Sequence, residues 1–504
     1  MNCLTRILLA VLFVFGVMNL LATAQETSNL LTAHVQFKTI VPHRNSVAAK
    51  STIEVQPEES ESALPFLGFG GLPYTVGATI TPTSSVPEAE EHIAVDPTNF
   101  NHLISMISDF SLNGGFNTSK FAFSTNNGAS WMQGFVPRAA SGLPQTSDGH
   151  IWQANSDPVV AVDKLGNVFL ANLYLQVGRV GNVTNDGYYV CAAKLFAGGK
   201  FTPSTCHPVR TTLTSSPNLE DKEWLAVDNS SSAFTGNVYA SWTHFTATSS
   251  MIFFSRSTNH GVTWSKAIQI NPASQNGAIQ GSQVAVGPAG EVYVAYEVFL
   301  GTGAQGKHFI AKSTNGGVSF GAPVAMTPTF NNLSFTSNYR DNSFPALAVA
   351  PVAGKAFVYD VYTDQPSANA RTAFVHSTTS GGLTFTAPIS ANDSTKGQRL
   401  MPAVAADTNG VVHISWFDTR NHTTNSDLLD IYATFTKNSG GTFAPNAKVT
   451  SATINNGGSG FIGDYSGIAA GPNGTTSMAH PAWTNGGVGG TTNGRLQTAT
   501  LTAH

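Results

Sequence analysis

The sequence predicts an all-β protein, a β-propeller of seven four-stranded antiparallel blades that is closed by a strand near the N-terminus. Three observations lead to this fold class. A turn motif recurs five times, a short apolar strand pattern recurs seven times, and the composition favours strands and turns over helices. Regular repetition of one unit over most of a chain is typical of stacked or radial repeat architectures.

The turn motif has Ser or Thr at its first position, a polar residue at its third, Gly at its fifth and Trp or Phe at its eighth. Its five copies occupy residues 124–131, 257–264, 313–320, 378–385 and 436–443. The glycine permits a positive φ, the third side chain can accept hydrogen bonds from the turn's amides, and the aromatic ring can pack between sheets. From Gly261 onward the glycines lie about 56 to 65 residues apart, and the interval from Gly128 to Gly261 is about twice that. Each interval therefore marks one structural unit, or two.

A second pattern of small apolar residues recurs seven times, offset from the turn motif. Its copies occupy residues 92–96, 159–163, 224–228, 283–287, 346–350, 403–407 and 467–471, about 57 to 67 residues apart. Small residues suit an innermost strand, where the blades converge and bulk does not fit. Further strands follow in each unit, such as 236–242, 252–257 and 267–270, with the alternation of antiparallel strands. Seven such units predict seven blades.

The last unit ends at its third strand, residues 495–501, so its fourth strand must come from elsewhere in the chain. Residues 74–81 have strand character and precede the first unit. We expect them to form the fourth strand of the last blade, because an unclosed propeller leaves open sheet edges. The predicted propeller domain covers residues 74–504.

The N-terminal residues predict export. Residues 1–24 read as a signal peptide, with Arg6 in the positive region, an apolar core at 7–18 and Ala-Thr-Ala before the cleavage site. An uncleaved membrane anchor is the alternative. Residues 25–73 lack sustained periodicity and predict a flexible leader. We therefore expect a secreted protein, either extracellular or periplasmic.

The composition excludes several function classes. Charged residues make up 11% of the chain and the formal net charge is −4, with no basic run, which argues against a nucleic-acid partner. No segment after the signal peptide is long and apolar enough to span a bilayer. Only Cys191 and Cys206 remain after cleavage, and without a C-x-x-C motif they predict a disulfide, with two free thiols as the alternative.

The turn motif resembles the Asp box, S-x-D-x-G-x-T-W, of the BNR repeats of sialidases (neuraminidases). This sequence departs from the box at the third position, which is Asn in four copies and Ser in one. Asn keeps an acceptor and tolerates a left-handed backbone. The resemblance implies a sialidase-like propeller, and because sialidases have six blades, a six-bladed ring is the alternative to seven.

The predicted strand order fixes which loops share a face. Residues before each inner strand and after each second strand lie on one face, opposite the turn motifs. Polar residues concentrate on that face, including the run Glu-Asp-Lys-Glu at 220–223. In a chain with few charges, such a concentration near one pole favours a binding or catalytic site. The alternative is that Arg–Asp pairs join neighbouring blades.

The resemblance also implies a chemistry. Sialidases bind a substrate carboxylate with three arginines and use a tyrosine nucleophile, a glutamate that activates it and an aspartate as acid/base. Residues of these types occur here in the family's chain order on the predicted face. The resemblance thus implies Asp157 as acid/base, Glu223 as activator, Tyr465 as nucleophile, and Arg340, Arg399 and Arg420 as the carboxylate clamp. The family's F-R-I-P motif is absent, and a packing role is the alternative for Tyr465.

Three further residues complete the predicted substrate site: Trp152, which can stack on a sugar ring, with Asp341 and Asp464. No metal motif is present, so we expect no cofactor. A structural Ca²⁺ among the axial Asp carboxylates is the alternative, although it has no sequence signature. The first functional hypothesis is a retaining exo-glycosidase, a hydrolase of the exo-α-sialidase type that cleaves terminal acidic sugars. The alternative is a non-catalytic propeller that binds glycan or protein. Either way we expect a monomer with a glycan or glycoprotein partner.

Overall fold

The computed structural model describes residues 74–77, 88–112, 116–137, 152, 154–177, 183–212, 218–301, 303–334, 339–340, 342–352, 355–423, 427–455, 462–473, 476–485 and 495–504. The predicted signal peptide and leader lie outside these residues. Within them the chain forms seven antiparallel sheets and no α-helix, only short 3₁₀ turns at Leu195–Ala197, Pro203–Thr205 and Ala273–Gln275. The fold is the predicted seven-bladed propeller, and the six-bladed alternative is wrong.

Each blade runs from an inner to an outer strand in chain order, except that Thr75–Val76 supplies the outer strand of blade 7. Blades 1 and 2 contain β2 (Glu88–Asp96), β3 (Asn99–Leu112), β4 (Phe116–Ser124) and β5 (Met132–Phe135), then β6 (Ala154–Val162), β7 (Val168–Val177), β8 (Val183–Ala193) and β9 (Cys206–Thr212). Blades 3 and 4 contain β10 (Leu219–Val227), β11 (Val238–Phe245), β12 (Ser250–Ser257) and β13 (Ile268–Gln269), then β14 (Ile279–Val286), β15 (Val292–Leu300), β16 (Gln305–Ser313), β17 (Val324–Ala325) and β18 (Phe330–Asn331).

The remaining three blades follow the same plan. Blades 5 and 6 contain β19 (Ala346–Val352), β20 (Lys355–Asp364), β21 (Arg371–His376) and β22 (Ile389–Ser390), then β23 (Arg399–Ala406), β24 (Val412–Asp418), β25 (Leu428–Thr436), β26 (Ala447–Lys448) and β27 (Ile454–Asn455). Blade 7 contains β28 (Gly467–Asn473), β29 (Thr476–Asn485), β30 (Arg495–Thr498), β31 (Leu501–Ala503) and β1 (Thr75–Val76). The predicted third strand at 495–501 is thus split in two, and both parts pair with β29.

The hydrophobic core lies between the blades. One cluster joins Phe169 and Val190 of blade 2 to Trp242 of blade 3, and the next joins Phe254 of blade 3 to Tyr296 of blade 4. Each sheet therefore buries its two faces against two neighbours, because no single sheet can cover its own apolar surface. Small inner-strand residues such as those at 159–163 allow the blades to converge, as predicted from the sequence.

Four of the five turn motifs share one hydrogen-bond network, shown by blade 6. The Asn438 Oδ1 accepts the Thr436 hydroxyl at 3.0 Å and the Thr442 amide at 2.8 Å, while the Thr436 hydroxyl accepts the Gly440 amide at 2.9 Å. The Asn438 amide group donates to the Thr442 hydroxyl at 3.1 Å, a bond that requires a nitrogen donor. The same contacts recur in the copies that start at Ser124, Ser257 and Ser313. Asn therefore supplies the oxygen acceptor expected of Asp in the Asp box, and its amide group adds a hydrogen-bond donor.

The turn motifs also join neighbouring blades. Gly440 has φ 85°, and an added Cβ there would lie 2.6 Å from the Phe374 ring of blade 5. The closing ring of the same motif, Phe443, meets Phe374 edge-on at 5.3 Å. In blade 5 the motif differs, because Ser380 accepts the Ala356 amide and takes no part in the turn's own network. The predicted inter-sheet role of the closing aromatic is confirmed.

The ring closes through the N-terminal strand, as predicted. The strand β1 pairs with β31, with Thr75 opposite Thr502. Beside it, the Tyr74 hydroxyl contacts the His413 Nδ1 and donates to the Thr434 carbonyl at 3.2 Å, both in blade 6. The His413 Nε2 in turn contacts the Ser477 hydroxyl of blade 7 at 2.6 Å. One buried chain of hydrogen bonds thus ties the first strand to the last two blades.

We expect Tyr74→Ala to lower the free energy of unfolding by about 3–5 kcal/mol, since it removes a buried ring from the closing interface. Tyr74→Phe should cost about 1–3 kcal/mol, because it leaves the buried His413 nitrogen without its partner. Urea unfolding measures both. Thr75→Ala, at an exposed neighbouring position, is the control and should change little. Equal stability of all three variants and the wild type would contradict closure through Tyr74.

The turn network makes a separate prediction. Asn438→Asp should change the free energy of unfolding by less than about 1 kcal/mol, because the acceptor stays and the Thr442 hydroxyl can turn to donate. Asn438→Ala should cost about 1–3 kcal/mol, because it leaves the Thr442 amide and the Thr436 hydroxyl without their acceptor. Thermal or urea unfolding of the pair checks this. A larger loss with Asp than with Ala would overturn the role given to the Oδ1 acceptor.

Candidate functional site at the propeller axis

A cavity of about 150 Å³ lies where the inner strands converge. Residues in or just before six of the seven inner strands line it: His92 in blade 1, Lys222 and Trp224 in blade 3, Gly281, Ser282 and Gln283 in blade 4, Asn342, Phe344, Pro345, Ala346 and Leu347 in blade 5, Met401, Pro402, Ala403 and Val404 in blade 6, and Asp464, Tyr465, Ser466, Gly467 and Ile468 in blade 7. The cavity therefore lies on the face that the strand order predicted for a site.

The inner strands are strained at this level. Five of them have a β-bulge near their start, and the first bulged residue is left-handed in each: Glu90 (φ 65°), Asp157 (53°), Lys222 (54°), Gly281 (72°) and Met401 (45°). Four of these are not glycine, so each costs backbone energy. Bulges re-aim side chains, and backbone strain of this kind clusters at functional sites. The strain thus marks the axis as the candidate site.

Tyr465, the predicted nucleophile, lies in the wall of the cavity and is 6% exposed. Its hydroxyl donates to the Pro158 carbonyl at 3.1 Å. Burial raises the pKa of the Tyr465 hydroxyl well above its usual value, and the charges of Glu90, Asp157, Glu223 and Asp464 raise it further. The predicted acid/base and activator therefore lie within electrostatic reach of the predicted nucleophile. Their field opposes formation of a phenolate.

Arg340 and Asp464 form an ion pair at the same site. The Arg340 Nη1 lies 2.9 and 2.7 Å from the two Asp464 oxygens, and the Asn342 amide donates to Asp464 at 3.3 Å. Burial lowers the pKa of the Arg340 guanidinium, but Asp464 and, further off, Glu90 outweigh it, so the net shift is upward. The pair joins blade 7 to the segment before blade 5. Both predicted substrate-binding residues are thus present at the axis and bind each other.

Arg399 and Arg420, the other predicted clamp residues, share a different carboxylate. Arg399 is fully buried, donates to the Ala370 carbonyl at 3.0 Å and lies 3.4 Å from Asp418. Burial lowers its pKa to about 10, against the opposing effect of Asp418. Arg420 donates to Asp418 at 2.8 Å and to Asp393 at 2.6 Å. The three arginines are therefore not grouped around one point: Arg340 pairs with Asp464, whereas Arg399 and Arg420 share Asp418 and Arg420 also binds Asp393.

Two other predicted residues have different positions. Trp152 is 1% exposed, and its ring packs against Tyr174 and Tyr189 between blades 1 and 2. The Trp152 ring is therefore enclosed by protein, and its stacking on a sugar stays a prediction. Asp341 lies outside the described residues.

Cys191 and Cys206 form a disulfide between paired positions of β8 and β9 in blade 2, which lacks the turn motif.

Glu90 and Lys222 had no predicted role, although both lie at left-handed bulges beside Tyr465. The sequence does contain a pattern that indicates their position. The acidic run at 88–91 precedes the first inner-strand copy as the run at 220–223 precedes the third. Polar residues crowded directly before an apolar inner strand predict an axial position.

Among the residues that the structure describes, no group of three or more His, Cys, Asp or Glu side chains is arranged to hold a metal ion. Over the same residues, no helix is long and apolar enough to cross a membrane. The cofactor and partner expectations stay predictions.

Comparisons with known proteins found solved structures of low similarity and no sequence match. No protein-family model matches the sequence, and no curated protein matches it. A protein of unknown function from Dyadobacter fermentans is 12% identical with a TM-score of 0.47, over 86% of this chain and 99% of its own. An ulvan lyase from a new polysaccharide lyase family is 10% identical with a TM-score of 0.46, over 84% and 95%. The NanB sialidase of Streptococcus pneumoniae is 11% identical with a TM-score of 0.41, over 86% and 70%. Similarity at this level says nothing about activity.

Glu91, next to the first bulge, makes the stability pH-dependent. Burial raises the pKa of its carboxyl from 4.5 to about 8, against the lowering effect of the Thr484 hydroxyl. Between these values the folded chain keeps a proton that the unfolded chain releases. The free energy of unfolding therefore falls as the pH rises through this window, by up to about 1.4 kcal/mol per pH unit.

Glu91→Gln removes the ionisation and keeps an acceptor for Thr484. The stability of the variant relative to the wild type should rise between roughly pH 5 and pH 8. Urea unfolding at several pH values measures the difference, in which all other titrations cancel. Parallel profiles for the two proteins would contradict a raised pKa for Glu91.

Proposed function

We propose that this protein is a secreted, non-catalytic propeller that binds an uncharged or basic carbohydrate at its axial cavity. The observation that carries the proposal is the charge around the cavity. Between them, Tyr465 and Arg340 lie within electrostatic reach of five carboxylates: Glu90, Asp157, Asp221, Glu223 and Asp464. Two cations, Lys222 and Arg340, face them. Among the described residues, this excess of acidic over basic side chains disfavours an acidic sugar and favours hydroxyl or ammonium groups.

The arginine pairing supports the same conclusion. A carboxylate clamp needs guanidinium groups that exchange their partners for the substrate. Arg340 is bound to Asp464, and both Arg399 and Arg420 are bound to Asp418, at distances of 2.7 to 3.4 Å. Removing one partner of a buried pair leaves an uncompensated charge, which is costly. An acidic sugar would have to displace these carboxylates before it could bind.

Export is part of the proposal and remains a prediction. Besides the predicted signal peptide, the Cys191–Cys206 disulfide supports it, since disulfides persist in oxidising compartments.

A second candidate is the retaining exo-glycosidase of the sialidase type. It is favoured by one observation, the position of Tyr465 within electrostatic reach of both Asp157 and Glu223. Against it, the raised pKa of Tyr465 and the bond from its hydroxyl to the Pro158 carbonyl make the hydroxyl a poor nucleophile. Activation would require Glu223 to take the proton after that bond breaks.

Tyr465→Phe separates the two functions. The hydroxyl bonds to Pro158 and not to the cavity, so the binding account predicts that immobilised-glycan binding changes by less than about threefold, roughly 0.7 kcal/mol. Under the glycosidase account the wild type turns over an aryl glycoside and the variant loses at least about a thousandfold in kcat. Tyr359→Phe, on the face of the turn motifs, is the matched control. Turnover by the wild type that collapses in Tyr465→Phe would overturn the binding account.

The binding site itself is tested with Asn342→Leu. Asn342 lines the cavity, is half-buried and donates to Asp464 at 3.3 Å. Leucine has a similar volume and no polar group, so glycan affinity should fall at least about tenfold, roughly 1.4 kcal/mol, with the fold retained. A glycan array and calorimetry measure this, with Thr75→Ala as control. A wild type that binds no glycan on the array would sink the proposal.

A further inference from the structure

Three aromatic rings surround one ammonium group at the axis. The Lys222 Nζ lies 3.6 Å from the centre of the Tyr465 ring, 5.5 Å from that of Trp224 and 5.6 Å from that of Phe344. All three distances lie within the roughly 6 Å range of a cation–π interaction. The rings come from blades 7, 3 and the segment before blade 5, so the ring closure of the propeller brings them together. We refer to Tyr465, Trp224 and Phe344 as the aromatic cage.

Other contacts hold the cage in place without Lys222. The Trp224 ring meets Tyr465 edge-on at 5.9 Å and His92 edge-on at 4.9 Å. Phe344 lies over Gly281, where an added Cβ would be 2.2 Å from the ring, so only glycine fits there. The cage is therefore preorganised, which lowers the cost of binding a ligand.

Lys222 reaches the cage from a strained position. Its backbone is left-handed at a bulge of β10, with φ 54°. A lysine has no intrinsic preference for this conformation. The bulge re-aims the side chain, and its four flexible carbons allow the ammonium group to leave the cage without moving the strand.

The surroundings favour positive charge and offer space. The five carboxylates of the axis create a field that attracts cations. Burial and the charge of Lys222 lower the pKa of His92 to about 3, so the His92 ring beside Trp224 is neutral and adds no repulsion. The cage residues, His92 and Lys222 all line the axial cavity of about 150 Å³, so an incoming group has room next to them.

We propose that the aromatic cage is a binding site for an alkylammonium group, and that a ligand binds by displacing the Lys222 ammonium from it. For the carbohydrate ligand this means a sugar with a free amino group, and that part rests on the proposed function. Lys222 acts as an internal occupant that keeps the cage filled until a ligand arrives. The displaced ammonium stays among the axial carboxylates.

The test uses choline and its uncharged isostere 3,3-dimethyl-1-butanol, with binding followed by calorimetry and by the fluorescence of the tryptophans. In Lys222→Met, which keeps the length of the side chain and removes the competing charge, choline should bind at least about tenfold more tightly than in the wild type. The isostere should bind weakly to both proteins. Trp224→Leu in the Lys222→Met background should remove the gain.

Lys222→Arg is the control, because it keeps a cation in the cage and should show no gain for choline. If circular dichroism shows that Lys222→Met is unfolded, the test uses the wild type, to which choline must still bind more tightly than the isostere. Equal binding of choline and the isostere to folded Lys222→Met, or to the wild type in that case, overturns the proposal. The choline test contains no sugar, so a failure of glycan binding beside a positive choline result would count against the proposed function and not against the cage.

Discussion

The packing of each blade against both neighbours is the constraint on which the structure depends. The apolar clusters join residues of adjacent sheets, as Phe169 and Trp242 do, so an open ring would expose two faces at once. The short strand β1 and Tyr74 prevent this by joining the segment before the first blade to blades 6 and 7. The Asn-based turns of blades 1, 3, 4 and 6 reinforce four of these contacts from the opposite face, because each places an aromatic ring on the preceding blade. The axial site inherits its rigidity from this closure.

Closure also explains why charge and strain concentrate at the axis. Seven inner strands meet there, and bulges at the same level in five of them re-aim side chains such as Glu90, Asp157 and Lys222. Arginine and carboxylate pair within the protein, as in Arg340–Asp464, and this pairing leaves a site with more carboxylates than cations. The resemblance to sialidases implies an acidic-sugar ligand, whereas the acidic side chains around this site are the reason for proposing a basic or uncharged one.

The fold could be predicted from the sequence because each repeated unit carries its own local pattern. The glycine of each turn, the small residues of each inner strand and the strand character before the first unit can all be read from neighbouring residues, and together they led to seven blades and an N-terminal closing strand. The candidate site was harder to predict from the sequence than the fold. The order of Asp157, Glu223 and Tyr465 along the chain placed them on one face, but the partner of Arg399 and the burial of Trp152 depend on adjacent blades. The left-handed bulges at Glu90 and Lys222 arise from the convergence of the inner strands, which no local pattern encodes.

The central claim is that the charge of the axial site selects the ligand. The most direct measurement is the affinity of the wild type for one oligosaccharide in three forms that differ only in charge, carrying a free amine, an acetylated amine or a carboxylate at the terminal sugar. The account predicts the tightest binding for the amine, weaker binding for the acetylated form and the weakest for the carboxylate, with the differences shrinking as salt is added. Tightest binding of the carboxylate form would contradict this prediction and favour an acidic-sugar ligand, as the resemblance to sialidases implies.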